Sequence, residues 1–589
     1  MNLLLKKNQQ VNRDANRPMI LPKKLNKLTF AFCSIFYSIQ AIALDTIPST
    51  VEPGRVSQQM NARSPAPNRP GLPMITNTPQ QATFPKEVAA IKFKWKGFVF
   101  EGNTLFSNQQ LMTLFPHKIG DTITLGDIQQ FANDITVKYN KDGYLLSQAV
   151  IPQQAITSGI VIIKVIEGYI STVSVEGPVS DKTKLLIKKY GEKVVGKKPL
   201  NINELESALL LANDLPGMEV RSVISPSKKI PEAADLTLLV IHNLVDNGTY
   251  LSYDNRGTRY IGPTRVMASY SVNTLLGDGA STSARLAESG EWQEMRYMEL
   301  EHKQYFGTNG FAIDFDGQYT RTNPGFILQG TNTIGTNKYF AVNAQYPYIR
   351  LRSKSLIFNA GFSFINSFQE QFSSKLYNDQ IRTVQAGATY NFLDTYLGSN
   401  QASGSLTQGY NYFGASQPNN LVSRIGAKPI FTKINASAGR LQGLPKNFSI
   451  MLTGNGQYGF NRMYAYEQIG YGGLPFGDAY DPSEIIADRG IEAKLEIRRD
   501  TTFPFNSIPT QYFIYYDGGV LWNYDHINQV GRQTGTSTGF GLRATAFQHI
   551  NISLELDKPL DRNVAAVVAE PNGGNPRAWR GFFSISVVD

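Results

Sequence analysis

The chain has 589 residues and a formal net charge of +10, and 18% of its residues are charged. Residues 1–43 contain seven Lys or Arg and one Asp, so only about +4 remains for the rest of the chain, which does not predict nucleic-acid binding. Beyond this N-terminal stretch no run approaches 18 apolar residues, which argues against a helical membrane protein. The single cysteine, Cys33, lies inside that stretch, so no disulfide or cysteine metal site is expected elsewhere.

Residues 1–43 have the pattern of an export signal. Basic residues precede the largely apolar run Leu28 to Ala43, and Ala41-Ile42-Ala43 offers small residues at the positions that a signal peptidase reads. The tail before this run is unusually long, so Met19 is an alternative start. The sequence therefore predicts an exported protein whose mature chain begins near Leu44.

Residues 44–88 predict a short helix followed by a linker. The helix runs from Pro53 to Met60 and begins near Glu52. A helix of that length is marginal in water, so it needs a partner to pack on. The prolines that mark the extended linker are Pro65, Pro67, Pro70, Pro73 and Pro79.

Two α/β units follow, at residues 89–167 and 168–244. In the first, the predicted elements are a strand at Ile91–Val99, a helix at Asp127–Tyr139, and strands at Leu146–Ile151 and Gly159–Ile166. In the second, they are a strand at Ile170–Val175, helices at Lys182–Tyr190 and Ile202–Asp214, and strands at Met218–Ser225 and Asp235–His242. A single larger domain is the alternative, but the turn at Glu167-Gly168 favours two units.

From residue 245 to 589 the side chains alternate between apolar and polar. Within Phe311 to Thr320, every second residue from Phe311 onward is apolar or Gly, while Asp314 and Asp316 point the other way. Ile491, Ala493, Leu495 and Ile497 alternate with charged residues in the same manner. This period predicts a transmembrane β-barrel with a hydrated lumen, although a large soluble β-sandwich also alternates.

Catalytic and metal-binding patterns are weak. The five histidines, at positions 117, 242, 302, 526 and 549, have no metal-ligand spacing. Gly535-Thr536-Ser537-Thr538-Gly539 matches the nucleophile-elbow pattern but lacks the strand-turn-helix context that such a nucleophile requires. We therefore expect no enzymatic activity, no metal and no cofactor.

Several motifs together resemble the two-partner secretion transporters of the outer membrane (TpsB type, the hemolysin secretion/activation protein family). The motifs of the two units are similar to polypeptide-transport-associated (POTRA) domains, and the later ones resemble the first barrel strand and an inward-folded loop. In chain order they are Gly102-Asn103-Thr104, Tyr139 with Asp142-Gly143-Tyr144, Ile151-Pro152-Gln153, Glu167-Gly168, Asn213-Asp214-Leu215-Pro216-Gly217, Tyr253-Asp254-Asn255-Arg256-Gly257, Gly472-Gly473, and Phe476 to Glu484.

The resemblance implies a mostly β fold: a sixteen-stranded transmembrane barrel, two periplasmic POTRA domains and an N-terminal plug helix. It implies an outer-membrane translocator of a Gram-negative cell that secretes one large β-helical TpsA-type partner without nucleotide hydrolysis. That partner would be an adhesin, a cytolysin or a contact-dependent inhibition toxin. The alternatives are a barrel insertase of the same superfamily and an outer-membrane barrel enzyme.

One departure from the family concerns the inward loop, where the resemblance implies an arginine that binds a wall aspartate. Asp478 stands at the matching position, within Phe476-Gly477-Asp478-Ala479-Tyr480, and the wall partner is Asp517 with Tyr515 beside it. Two carboxylates repel each other unless a cation lies between them. The cations that can bridge them are Arg489, Lys494 and Arg498, with Arg489 preferred, and Asp478→Arg is expected to restore a direct contact with Asp517.

Overall fold

The computed structural model describes residues 47–62, 64, 84–156, 158–243, 248–291, 293–417, 420–502, 508–524, 531–570 and 573–588. The predicted export signal, the prolines of the linker, and His526 lie outside these residues.

The first α/β unit packs a helix against a small sheet. Its strands are β1 (Lys92–Lys94), β2 (Gly97–Glu101), β3 (Thr122–Thr124), β4 (Gln148–Val150) and β5 (Ile160–Ile166). Its main helix, α4 (Leu125–Lys141), is preceded in the chain by the short helices α2 (Lys86–Ala89) and α3 (Asn108–Met112). Strands β2, β5 and β4 form the sheet in that order, while β1 pairs separately with β3.

Helix α4 confirms the predicted helix and extends it by two residues at each end. Thr124 caps its first turn by accepting a hydrogen bond from the Asp127 N–H, and Asp127 in turn accepts from Thr124 N–H. The single strand predicted at Ile91–Val99 is wrong. The run divides at the fully buried Trp95 because its two halves pair with different strands, β1 with β3 and β2 with β5.

The second unit repeats this plan. Its elements are β6 (Tyr169–Glu176), α5 (Asp181–Glu192), α6 (Ile202–Asn213), β7 (Met218–Pro226) and β8 (Ala233–His242). The strand order β6-β8-β7, with β6 and β8 parallel, matches the order β2-β5-β4 of the first unit. Each unit has its own buried apolar core. The repeat supports two units over one larger domain.

Hydrogen bonds to Glu167 connect helix α4 with the turn at Thr104 and Leu105 in the first unit. Its buried carboxylate accepts hydrogen bonds from the Thr104 N–H (2.8 Å), the Leu105 N–H (2.9 Å) and the Tyr139 hydroxyl (2.8 Å). Burial by itself would raise the pKa of Glu167, but the hydrogen bonds from Thr104, Leu105 and Tyr139 hold that pKa below its ordinary value. The Glu167-Gly168 motif therefore stabilises the fold of the first unit, because Glu167 holds together parts of the chain that are distant in sequence.

Among the described residues, sixteen strands form a closed antiparallel barrel, in which β9 at the start pairs with β26 at the end. They are β9 (Thr249–Asp254), β10 (Arg265–Asn273), β11 (Ala280–Ser289), β12 (Met295–Phe306), β13 (Phe311–Thr322), β14 (Ile334–Arg350), β15 (Lys354–Gln371), β16 (Ser374–Leu393), β17 (Ser399–Gly409), β18 (Thr432–Leu444), β19 (Phe448–Gly459), β22 (Arg489–Thr502), β23 (Pro509–Trp522), β24 (Arg532–Ala546), β25 (Ile550–Pro559) and β26 (Arg580–Val588). Between β19 and β22 the chain forms the small pair β20 (Ile469–Tyr471) and β21 (Ile485–Ala487). A short helix, α7 (Ala565–Val568), lies between β25 and β26.

The alternation predicted from the sequence is confirmed along the barrel wall. On β22, Ile491, Leu495 and Ile497 are exposed on the outer face, while Glu492 and Glu496 are buried inside. Because side chains leave a strand on alternate faces, the same period assigns every residue of this strand to the outside or to the lumen. In the part of the chain that the structure describes, no helix is long and apolar enough to cross a membrane.

The second unit binds one end of the barrel, where the strands are joined by short turns such as 307–310 and 351–353. Asp214 accepts two hydrogen bonds from Arg350, at 2.6 and 2.7 Å. Lys193 donates to the Thr308 carbonyl and, at 2.7 Å, to Asn309 Oδ1. These contacts place the α/β units at the short-turn end and leave the longer loops, such as 460–488, at the other.

The lumen and its inward loop as the candidate functional site

Helix α1 (Pro53–Met60) lies inside the barrel, as predicted for the plug. It follows a single 3-10 turn at Ser49–Val51, so the helical segment is shorter than the predicted Asp45–Met60, of which Asp45 lies outside the described residues. Gly54 sits against the Tyr466 ring, where a Cβ atom would approach a ring carbon to 2.6 Å. A larger residue at this position would push the helix away from the loop.

Polar contacts attach α1 to the barrel wall. Ser57 Oγ donates to Gln318 Oε1 of β13 at 2.7 Å. At the end of the helix, Asn61 donates to the Tyr297 hydroxyl at 3.0 Å and accepts from Arg285 at 2.9 Å. Because each of these groups can instead bond to water, the net stabilisation per contact is only about 1 kcal/mol.

A second set of contacts attaches α1 to the segment 460–488. The buried Arg55 donates to the Gln468 carbonyl at 2.6 Å and to Ser483 Oγ at 3.3 Å. Gln58 donates to the Tyr466 carbonyl at 2.6 Å. The helix thus contacts both the wall and the loop, and movement of either partner alters its attachment.

Residues 460–488 fold back into the barrel and form the inward loop. Its aromatic side chains Tyr471, Phe476 and Tyr480 are buried in an apolar cluster with Leu521 of the wall and Val564. Phe476, Gly477, Asp478, Ala479 and Tyr480, the residues of the predicted loop motif, are all buried in this arrangement. Gly477 has a φ of +89° and no room for a side chain, since a Cβ would approach the Gly472 backbone to 2.8 Å.

Asp517 holds the loop tip through neutral donors. Its carboxylate accepts hydrogen bonds from the Tyr471 hydroxyl (2.8 Å) and Ser537 Oγ (2.7 Å). It also accepts from the backbone N–H groups of Gly477 (3.1 Å) and Asp478 (3.3 Å). The buried Asp517 carboxylate thus has four hydrogen-bond donors, all of them neutral.

Asp478 binds a cation of its own. Its carboxylate forms an ion pair with Lys494 of β22, and the Lys494 ammonium also lies 4.4 Å from the centre of the Tyr515 ring. The Asp478 carbonyl accepts from Arg256 Nη1 at 2.9 Å, and Arg256 pairs in turn with Glu555 and Asp557 of β25. Both positive and negative side chains therefore surround the loop tip. Asp478 itself stands where the family resemblance implies an arginine.

The preference for Arg489 as the bridging cation is wrong. Arg489 donates to the Gly459 carbonyl at 2.8 Å and lies over the Tyr458 ring, on the side of β22 that carries Ile491. Lys494 is an even-numbered residue that faces the lumen directly opposite Asp517. Arg498 also faces inward, but it binds Glu496 at 2.5 Å. The strand's period of two already separates Arg489 from the other two cations.

Sequence reasoning missed two further cations at the loop tip. Arg256 comes from the loop after β9, and the local motif around it predicts no partner. Arg580 of β26 donates to the Ala479 carbonyl at 2.7 Å and to Asp481 at 2.6 Å. Both contacts join residues about a hundred positions or more apart, so no local pattern signals them.

The weak catalytic pattern belongs to the barrel wall. Gly535 to Gly539 lie within β24, and Ser537 donates to Asp517 instead of facing a histidine. His302 lies beside Thr282, and His549 lies beside the Val588 carbonyl. Within the described ranges, no three His, Cys, Asp or Glu side chains come together as metal ligands.

With the barrel, the lumen helix and the inward loop in place, comparison with known proteins decides the family. The model described as haemolysin secretion/activation protein ShlB/FhaC/HecB matches residues 244–544, about half of the chain. The chain belongs to this family. The model of the ShlB-type POTRA domain matches residues 93–168, which cover the first α/β unit. The protein is thus an outer-membrane transporter of the two-partner secretion type, with its POTRA end in the periplasm.

Relatives and solved structures agree with this membership. The heme/hemopexin transporter protein HuxB of Haemophilus influenzae strain Rd is 23% identical over 548 residues, which cover 90% of this chain and 94% of that protein. The outer membrane transporter CdiB of Dickeya dadantii is 21% identical over 33% of this chain and 35% of that protein. In fold, the chain resembles CdiB from Escherichia coli, with a TM-score of 0.69 and 17% identity over 92% of this chain and 99% of that one.

Proposed function

We propose that this transporter exports one large TpsA-type partner protein through its barrel, and that α1 leaves the lumen during export. The observation that carries this proposal is the attachment of α1. The helix is short, it lies between the inward loop and the wall, and side-chain hydrogen bonds such as those of Ser57 and Asn61 attach it to that wall. The Pro-rich sequence of residues 65–85 is expected to tether it while it leaves.

The exported chain passes along an uncharged part of the lumen, which we call the neutral wall. Its side chains come from strands β15–β19 and are all amides or hydroxyls: Asn359, Gln385, Thr389, Ser403, Ser405, Asn435, Ser437 and Asn455. A cavity of about 180 Å³ already runs along this wall. A second cavity of about 460 Å³ lies between the wall and α1, and its lining also includes the charged residues Arg55, Lys433 and Glu492.

The neutral wall is the expected path of the exported chain because charged side chains would interact with that chain too strongly. A charge on the moving chain interacts with a wall charge 4 Å away by about 4 kcal/mol at the effective dielectric constant near a protein surface. Such an interaction would arrest or repel segments according to their sign. Amides and hydroxyls exchange hydrogen bonds with a passing backbone at about 1 kcal/mol each. The charged side chains around Lys494 on β22 instead bind the inward loop.

The first POTRA domain recognises the partner. Strands β2 and β4 are the edges of its sheet, and β4 lies beside α4, so an extended segment can add to an edge and contact the helix. Main-chain hydrogen bonds dominate this type of recognition. Single surface substitutions in the domain are therefore expected to matter little.

Cross-linking α1 to the wall tests the proposal. In Ser57→Cys/Gln318→Cys the two thiols replace groups that lie within hydrogen-bonding distance, and a short bis-reactive linker can join them. The predicted mature chain has no other cysteine. We expect export of the partner to stop in linked protein and to continue in either single variant treated with the same reagent. Normal export by fully linked protein would refute departure of the helix.

Site-directed cross-linking tests the neutral wall. A partner arrested during export should cross-link to Ser437→Cys on β18, and much less to Ser283→Cys, which also faces the lumen but lies on β11. Equal cross-linking at both positions would contradict a preferred wall while leaving export through the lumen intact.

A further inference from the structure

Three basic side chains lie together on the outer face of the barrel, at the end opposite the POTRA domain. Arg296 of β12 stands directly opposite Arg321 of β13, and Lys338 of β14 stands opposite Tyr319, one step closer to the middle of the barrel. All three are exposed. Directly opposite residues have Cβ atoms about 5 Å apart and diagonal neighbours about 7–8 Å, so the three cations form one cluster.

The cluster lies at the height of the lipid headgroups. Below Arg321 on the outer face of β13 come Tyr319, Phe315 and, ten residues away at the opposite end, Phe311. Ten residues rise about 33 Å along a strand, which is roughly 25 Å along the membrane normal at the usual tilt and equals the height of the apolar band of such barrels. The cations therefore stand where the apolar band ends at the cell surface.

The described residues supply too little negative charge to balance this cluster. Arg296 pairs with Glu288 at 3.0 Å. Neither Arg321 nor Lys338 forms an ion pair with a carboxylate among the described residues, and like charges opposite one another on a sheet destabilise the pairing. An anion from outside the protein would stabilise this part of the wall.

We propose that Arg321 and Lys338, with Arg296 beside them, bind the phosphate groups of an outer-leaflet glycolipid of the lipid A type. The guanidinium of Arg321 binds a phosphate through two hydrogen bonds, and the Lys338 ammonium reaches up from the apolar band to the same group. The acyl chains lie on Tyr319 and Phe340 directly below. This site is separate from the lumen and does not depend on the proposed function.

Binding of a defined lipid to the purified full-length protein tests the site. Native mass spectrometry in detergent would measure retention of bisphosphorylated lipid A and of the same lipid after removal of its phosphates. We expect the parent to prefer the phosphorylated form and Arg321→Gln/Lys338→Gln to lose roughly tenfold in affinity for it, as two exposed ion pairs allow. The charge-preserving double variant Arg321→Lys/Lys338→Arg should retain the preference for phosphorylated lipid A. This result would show that the outer face tolerates substitution at both positions.

A matched control uses outward cations at the periplasmic end, Lys354 and Arg499. Lys354→Gln/Arg499→Gln should bind phosphorylated lipid A as the parent does. An equal loss in this control would overturn the site, since it would indicate general charge attraction. Unchanged binding in Arg321→Gln/Lys338→Gln would also overturn it. Displacement of the lipid by equimolar inorganic phosphate would overturn the assignment to a lipid and indicate a site for the free anion.

Discussion

The ion pair between Asp478 and Lys494 predicts the result of exchanging the two charges. Asp478→Arg places a new cation beside Lys494 and Arg256, so the substitution should release the loop instead of restoring the contact that the family resemblance suggested. Lys494→Asp places a new anion beside Asp478 and Asp517 and should release it as well. The double variant Asp478→Arg/Lys494→Asp restores a pair of reversed polarity and should hold the loop again.

The expected magnitude follows from the burial of the pair. The Asp478 side chain is 1% exposed and that of Lys494 is 11% exposed. Removing one partner of such a pair costs about 3–5 kcal/mol, and the partial exposure of the lysine favours the lower value. Since 1.4 kcal/mol corresponds to a factor of ten, the equilibrium between held and released loop should shift by roughly 100-fold in each single variant.

Protection of the loop from protease on intact cells measures this equilibrium. Proteinase K added outside should cleave a released loop near its aromatic residues and leave a held one intact. The matched control is an exposed pair on the outer face, Glu288 and Arg296, whose exchange in Glu288→Arg/Arg296→Glu should change the free energy by less than about 1 kcal/mol and leave the loop protected.

Two results would contradict the reasoning. If Asp478→Arg by itself keeps the loop protected, Lys494 and Arg256 do not lie close enough to repel the new guanidinium. If the double variant is cleaved as fast as the faster single variant, the pair does not hold the loop, and the backbone donors to Asp517 are sufficient.

Four further predictions concern the other parts of the chain. Deleting residues 45–60 should raise single-channel conductance in planar bilayers, and an unchanged conductance would contradict a plug. Deleting residues 89–167 should abolish export while the barrel still assembles, as judged by its heat-modifiable mobility in gels. Asp517→Ala leaves four donors without an acceptor and should impair export, with Ser283→Ala, an inward residue of β11, as control. The folded-state pKa of Glu167 lies below its ordinary value of 4.5, so its contribution to stability is present above that value and is lost as the pH falls below it. Pepsin cleavage within residues 93–168 should therefore rise as the pH falls below 4.5, and Glu167→Gln should reduce this pH dependence.

The sequence by itself determined the features that depend on local periodicity. The period of two places Leu495 outside and Lys494 inside, because successive side chains of a strand leave on opposite faces. The helical spacing of Ile128, Phe131 and Ile135 located α4 for the same kind of reason. The number of barrel strands came from family resemblance, since periodicity predicts strands one at a time and says nothing about closure.

The tertiary structure decided which distant groups meet. The run Ile91–Val99 looks like one strand but divides at Trp95, because β1 pairs with β3 while β2 pairs with β5. Asp517 receives donors from Tyr471 and Ser537, and Arg256 reaches a carbonyl 222 positions away at Asp478. Such contacts arise when the barrel closes and the loop folds into it. Their partners are therefore set by the geometry of the closed barrel, which no local stretch of sequence encodes.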